Sequence, residues 1–439
     1  MHLPCLNFPD LFVALWKGQK GSIACERPDR YEDWPWICFK GDAWTAHGLT
    51  VEAAKEYLPG SFDRTPRNPV LKLNSGYKAW EYLIWFFGMG PCLFYRLLLE
   101  PYWSHYCLAV RAFRLCMQES ITPQEVTEAI QCMTKFVEDF EHIYSQQKVE
   151  RIHFCRPFLH TSAHVPWEIP ALGPLMMYAQ WTMERTIGNL GREIRQHSNA
   201  FANLSQRALL RCQVNALKAL IPDLDPLEAK LPKGGKRLQD GYALLPKRAK
   251  KSTFANHAEL TAINEYAMLQ GSIYRWTSFR IRKWARLALP SGQVARSIWK
   301  EVDLRTEKSK QYRRSRNLSN QYVEDGFMKL AEVKYYFELT WPREQEPVVL
   351  AMVSTYGPRD EQLYSESWKT YDSRILFQNH RIIEANSIQS VVAMIPDTQY
   401  SEGGVASNRW FLVEKPGLKM GVMTGVTEDL RGDRDDQAD

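Results

Sequence analysis

The spacing of apolar residues changes along this chain, and that change limits the fold more than any composition figure. Trp80, Leu83, Ile84 and Phe87 recur at helical spacing, as do Tyr102, Tyr106, Val110 and Phe113. A third stripe runs through Val126, Ile130, Met133, Phe136, Phe140 and Tyr144. After about residue 315 the runs become short, alternating or β-branched. Ala331–Leu339, Val348–Tyr356, Ile388–Ile395 and Trp410–Glu414 read as strands. The expected class is α+β. The N-terminal two-thirds is mainly α-helical and packs as a bundle, and a small antiparallel β-barrel-like domain follows.

Local signals place the elements. The first 70 residues are dense in Trp and Pro and keep no period, apart from a short helix over Leu11–Trp16. Gly88, Gly90 and Pro91 close the first stripe. Thr122-Pro123-Gln124-Glu125 is a helix start, with a hydroxyl N-cap, proline at the first helical position and Glu125 set to close a capping box. A helical turn carries His160 and His164 and ends near Pro166, and Gly173-Pro174 breaks the chain. Phe201–Leu220 reads as helix. Residues 222–256 are rich in Pro, Gly and Lys and read as a linker. Ala258–Ala288 holds a helix, with strands or turns around Leu289-Pro290-Ser291-Gly292. The tail after Met423 is acidic and is expected to be disordered.

At 439 residues the chain exceeds one ordinary core, so two or three domains are expected. It holds no run of about 18 uncharged apolar residues, so no membrane partner is expected. The N-terminus has no basic start and no small-residue cleavage site, so secretion is not expected. Nine cysteines without a CxxC pair read as reduced thiols in a nuclear or cytosolic protein. The net charge of +6 is uneven: residues 206–316 hold 24 Lys and Arg against 9 Asp and Glu. Such a surplus attracts polyanions with little sequence preference, and a solvated linker is the plain alternative. No GxxxxGK[ST], post-strand GxGxxG or GxSxG motif occurs, which argues against nucleotide-binding and hydrolase folds.

One segment concentrates chemistry. In Gly173–Arg195, Glu184 sits in an apolar run and is followed by Arg185, Arg192 and Arg195. A carboxylate flanked by arginines suits a metal held beside a phosphate backbone, whereas a solvated helix-surface carboxylate is the commoner case. These arginines, with Lys247, Arg248, Lys250 and Lys251, are the candidate nucleic-acid contacts. His160 and His164 stand at i, i+4, a spacing that can bind zinc on one helix face. Only Cys5, Cys25 and Cys38 are near on the N-terminal side, so packed or hydrogen-bonded histidines are the first reading. Trp34/Trp36 and Tyr335/Tyr336 are read as core rather than as base-stacking surfaces.

The order of four segments resembles the later part of fungal CACTA (En/Spm-like) transposases. They are MHLPCLNFPDLFVALWKG, PGSFDRTPRNP, SGYKAWEYLIWFFGMGPCLFY and GPLMMYAQWTMERTIGNLGREIR. LPSGQVARSIWKE, AEVKYYFEL, SIQSVVAMIP and FLVEKPGL are similar to the C-terminal region of the same element-encoded proteins. The resemblance covers nearly the whole chain. It implies a DDE enzyme of RNase H-like fold, in which three acids hold two magnesium ions about 3.5–4 Å apart. Glu184 matches the last acid, and the other two fall upstream of the residue matching Met1. Asp10 has no such role in the family. The resemblance therefore implies a transposase fragment that lacks two of the three acids, is catalytically inactive and binds no magnesium or zinc tightly. In related recombinases a histidine pair before the last acid holds zinc together with a CxxC that this chain lacks.

The organisation implied is a partial RNase H-like core over 1–221 with a helical insertion over about 70–150. A basic linker and helical region follows over 222–315, then a small β-rich domain over 316–422 and an acidic tail over 423–439. The function expected is non-specific DNA binding in the nucleus. The alternative is a protein- or chromatin-interaction module on the C-terminal β domain.

Overall fold

A computed structural model describes residues 2–18, 23, 27–62, 65–73, 75–194, 197–221, 224, 231–301, 319–341, 346–397 and 408–415. The acidic tail lies outside them. As far as residue 221 the described chain is helical, and none of it lies in a strand of a sheet. The helices are α1 (Phe8–Lys17), α2 (Asp42–Ala53), α3 (Pro69–Lys72), α4 (Ala79–Tyr82), α5 (Gly90–Leu93), α6 (Tyr102–Cys116) and α7 (Pro123–Phe140). After them come α8 (Pro157–Leu172), α9 (Leu175–Tyr178), α10 (Trp181–Glu193) and α11 (Ala200–Leu220).

Aromatic packing holds the first eight helices together. α1 buries Phe8, Leu11, Phe12, Leu15 and Trp16. The Phe8 ring meets Phe113 edge-on at 5.0 Å, and Trp16 donates from Nε1 to the Tyr144 hydroxyl at 3.1 Å. The capping box at α7 is formed: Glu125 N–H donates to Thr122 Oγ1 at 3.3 Å, and Thr122 N–H donates to Glu125 Oε2 at 2.8 Å. Gly90 does not end its helical run. It opens α5 directly after Leu83–Met89, and a Cβ on it would collide with the Tyr106 hydroxyl oxygen. Close backbone approach explains this glycine. α8 runs through Pro166 and Pro170 to Leu172, beyond the stop expected at Pro166. Val165, Pro166 and Ile169 are buried there, and that packing offsets the hydrogen bond lost at proline. Trp34 and Trp36 are buried, and the Arg151 guanidinium lies 5.1 Å from the Trp36 ring centre and is paired with Asp29 at 2.6 Å. Tyr335 and Tyr336 are buried too.

Strands begin at residue 236, well before the change expected near 315. β1 (Lys236–Arg237), β2 (Ala243–Arg248), β3 (Thr253–Phe254), α12 (His257–Leu269), β4 (Arg280–Ile281), β5 (Trp284–Ala288), β6 (Val294–Arg296) and α13 (Ile298–Glu301) occupy the segment read as linker and helix. β7 (Ser319–Glu324), β8 (Phe327–Leu339), β9 (Val348–Arg359), α14 (Glu361–Glu366), β10 (Asp372–Leu376), β11 (Arg381–Glu384), β12 (Ile388–Val391), β13 (Ala393–Pro396) and β14 (Arg409–Val413) follow among the described residues. Among the described residues, twelve strands form one antiparallel sheet whose main path is β1-β2-β5-β8-β9-β10-β14-β13. The sheet is not the closed barrel expected. A barrel pairs its first and last strands around one interior. Here β1 and β13 end the path apart, and β8 and β9 are covered on both faces. One face packs Tyr336, Val333 and Ala351 with Trp284 and Tyr322, and the other packs Tyr335, Phe337 and Met352 against Ile263 and Tyr266 of α12.

The helical layer and the sheet share a core. Leu363, Tyr371, Ala393, Ile395, Phe411 and Val413 belong to the same apolar cluster as α1 and α6. Two buried polar knots cross this seam. Arg114 donates to the carbonyls of Phe87, Gly88 and Thr370 at 2.9–3.0 Å. Asp397 accepts from Tyr371 Oη at 2.5 Å and Ser373 Oγ at 3.2 Å, with Cys92 Sγ at 3.8 Å.

Candidate nucleic-acid interface

The basic run at 247–251 lies on a strand and the turn after it. β2 starts with Ala243, Leu244 and Leu245 buried in the sheet core and ends in Lys247 and exposed Arg248. β2 pairs with β5, placing Arg248 opposite Trp284, and the Arg248 guanidinium lies 4.9 Å from that ring. Beyond β2 the ladder continues through single contacts. Ala249 N–H donates to the Lys283 carbonyl at 2.8 Å, and Arg282 Nε donates to the Ala249 carbonyl at 3.2 Å. β3 then pairs with β4, Thr253 opposite Ile281 and Phe254 opposite Arg280. The result is a two-stranded antiparallel ribbon over 248–254 and 280–284.

Strand alternation decides what this ribbon displays. Ile281 faces the core with α12, so its neighbours Arg280 and Arg282 are turned outward and exposed. Lys250, Lys251 and Phe254 are exposed on the other strand. Five cations (Arg248, Lys250, Lys251, Arg280 and Arg282) are thus held on one narrow element.

Lys283 is turned inward and anchors the ribbon. Its ammonium meets Glu259 Oε1 at 3.0 Å, and Tyr335 Oη donates to the same oxygen at 2.8 Å. Glu259 also closes a capping box at the start of α12, where Asn256 N–H donates to Oε2 at 2.9 Å. Burial alone would push the Glu259 carboxyl up, but the Asn256 N–H, the Tyr335 hydroxyl and Lys283 hold it below its ordinary value. Lys334, on a β8 bulge beside this knot, donates to the Asn379 carbonyl at 2.8 Å and is pushed down by burial.

The other sequence-derived candidates are not gathered in this way. Glu184 is exposed on the first turn of α10, and Arg192 is exposed on its last turn. The Arg185 side chain and Arg195 lie outside the described residues. Asp10 pairs with Arg156 at 2.9 Å. His160 and His164 face each other on α8 with Nε2 atoms 3.1 Å apart, both exposed. Among the described residues no group of three His, Cys, Asp or Glu side chains could hold a metal ion. A groove of about 1180 Å³ lies at the seam between α6–α7 and the β9–α14 corner, lined by Glu100, Glu128, Lys135, Arg359, Tyr364 and Trp368 among others.

Sequence reasoning named Lys247, Arg248, Lys250 and Lys251 but missed Arg280, Arg282 and Phe254. The missed signal was the period-2 pattern Arg280-Ile281-Arg282, with basic residues on either side of an apolar one. Comparison of the chain with protein-family models, with curated proteins and with solved structures finds no match in any of the three. No described helix is long and apolar enough to cross a membrane.

Proposed function

We propose that this chain binds nucleic acid through phosphate contacts with little sequence preference, and that it is of CACTA-transposase descent without strand-transfer activity of its own. The carrying observation is the ribbon, which displays Arg248, Lys250, Lys251, Arg280 and Arg282 on a frame anchored in the sheet. Each cation that neutralises a phosphate releases counterions, so binding weakens as salt rises. A two-stranded ribbon also has the width of a major groove, which lets the backbone contacts on either side be made together. The transposase descent rests on the ordered set of segments that runs along nearly the whole sequence. A nuclear location belongs to the same proposal.

The absence of strand transfer is proposed from the setting of Glu184. A two-ion site needs several carboxylate oxygens in one place, and Glu184 is exposed on its own helix. Strand nicking or joining with magnesium, abolished by Glu184→Gln, would overturn that part.

The binding proposal is tested with the full chain and a mixed-sequence duplex of about 30 base pairs. With five contacts, affinity is expected to fall roughly 10²- to 10³-fold between 50 and 200 mM salt. Affinity that holds steady over that range would overturn it. A second reading, a protein-interaction module, draws on the seam groove with its exposed charges around Tyr364 and Trp368. In its favour would be a partner displaced by Trp368→Ala and indifferent to changes on the ribbon.

A further inference from the structure

Resting on the reading above, we propose that the ribbon favours single-stranded nucleic acid, seating an unstacked base on Phe254 while Arg280 and Arg282 hold the adjoining phosphates. Phe254 is 63% exposed although it lies in a paired strand. Its position is forced by register. Thr253 opposes Ile281, which is buried against α12, so the next pair, Phe254 and Arg280, is turned to the opposite face. The pairing fixes both residues together, and the Arg280 guanidinium lies 4.5 Å from the Phe254 ring centre. The backbone beside them is tied down, since Ala255 N–H donates to the Phe279 carbonyl at 2.8 Å.

This arrangement offers an apolar ring with a planar cation against it, in a row of further cations. Arg282 is two residues from Arg280 on the same strand, about 7 Å along it. Across the ribbon, Lys250 and Lys251 are exposed on the turn that leads into β3. A phosphate backbone can follow these cations while one base swings onto the ring. Stacking of that kind is tolerant of sequence, because every base has a π-face. In a duplex the bases are already paired and stacked, so Phe254 has no free face to meet. The five cations attract any polyanion, and the ring is what separates a base-bearing strand from a bare chain of phosphates.

The test measures affinities of the full chain at one moderate salt concentration for a single strand of about 20 nucleotides, the matching duplex and inorganic polyphosphate of similar charge. The single strand is expected to bind tightest. Phe254→Ala is expected to weaken single-strand binding about tenfold and to change duplex and polyphosphate binding less than twofold. Phe254→Trp is expected to retain single-strand binding. Because Phe254 is exposed, these variants leave the core intact. Equal loss on all three ligands, or no loss on any, would overturn the inference. In the second case, weakening by Lys250→Gln with Lys251→Gln would leave the phosphate-binding reading standing. If no nucleic acid binds at any salt concentration, that underlying reading fails instead.

Discussion

The α10–α11 segment and the β3–β4 ribbon both carry basic residues that stand out in sequence, yet the fold treats them differently. α11 is 21 residues long and buries none of them, and α10 contributes only Trp181 to the core among its described side chains. Its basic residues are in part used up locally, as where Arg211 pairs with Glu193 between the two helices. The ribbon is far shorter, but Lys283, Glu259, Tyr335 and the backbone bonds of Ala249 and Ala255 fix it to the sheet. A cluster of charge becomes a surface for a partner when a frame holds it in place, because ordering long side chains costs entropy at the moment of binding.

The largest expected difference between the two regions is in stability. Leu287→Ala, in the buried middle of β5, is expected to cost about 2–5 kcal/mol, whereas Leu210→Ala on α11 is expected to cost less than about 0.5 kcal/mol. Urea midpoints of the two variants check this, and similar losses would mean that α11 is covered by something.

Acid should separate the helical layer from the ribbon. His47 accepts from Trp85 Nε1 at 2.9 Å and His105 donates to the Phe136 carbonyl at 2.8 Å, and burial pushes them down from 6.5 to about 3 and about 4. Both stay neutral in the fold while the unfolded chain takes up protons below pH 6.5, so stability falls as pH drops through that window. Between pH 7 and 5 each histidine is expected to remove about 2 kcal/mol. Glu259 works lower: its folded value is depressed from 4.5, so its contribution is present above that pH and is lost as pH falls further. Denaturation at pH 7, 5 and 4 checks the order, and a His47→Gln, His105→Gln variant should flatten the first step only.

Smaller effects follow at the foot of the ribbon and on α10. Glu259→Gln keeps the shape but not the charge opposite Lys283, and it is expected to cost about 2 kcal/mol. Loss of nucleic-acid affinity beyond the stability loss would show that the knot positions the ribbon. Glu184→Gln and Arg192→Gln are expected to shift stability by less than about 0.5 kcal/mol. They should alter nucleic-acid affinity less than twofold, and a larger loss would return α10 to the interface.

Much of the helical half was legible because its stripes are long and its caps local. The Thr122–Glu125 box and the run from Val126 to Tyr144 needed no tertiary information. The late strands were legible for the same reason, being rich in β-branched residues. The segment at 222–256 was not, because Pro246, Lys247 and Arg248 at the end of β2 mask the buried Ala243, Leu244 and Leu245 at its start. β3 and β4 are two residues each, too short for any period to show, and their register pairs Phe254 with Arg280, 26 positions away, and Thr253 with Ile281, 28 positions away. Half the ribbon could thus be read as a basic run while Arg280, Arg282 and Phe254 went unnoticed. Closure of the sheet was misjudged because strand number does not say whether the edges meet. One face of β8 and β9 is covered by α12, and the other packs with Trp284 and Tyr322 of β5 and β7, which are strands of the same sheet.

The most direct test compares the salt dependence of duplex binding for three proteins: the unaltered chain, a Lys250→Gln, Lys251→Gln, Arg282→Gln variant of the ribbon, and an Arg192→Gln, Arg207→Gln variant with one change on α10 and one on α11. The ribbon variant should have a log–log slope shallower by about three, and the helical variant a slope unchanged within about one. Equal slopes for the ribbon variant and the unaltered chain would contradict the account.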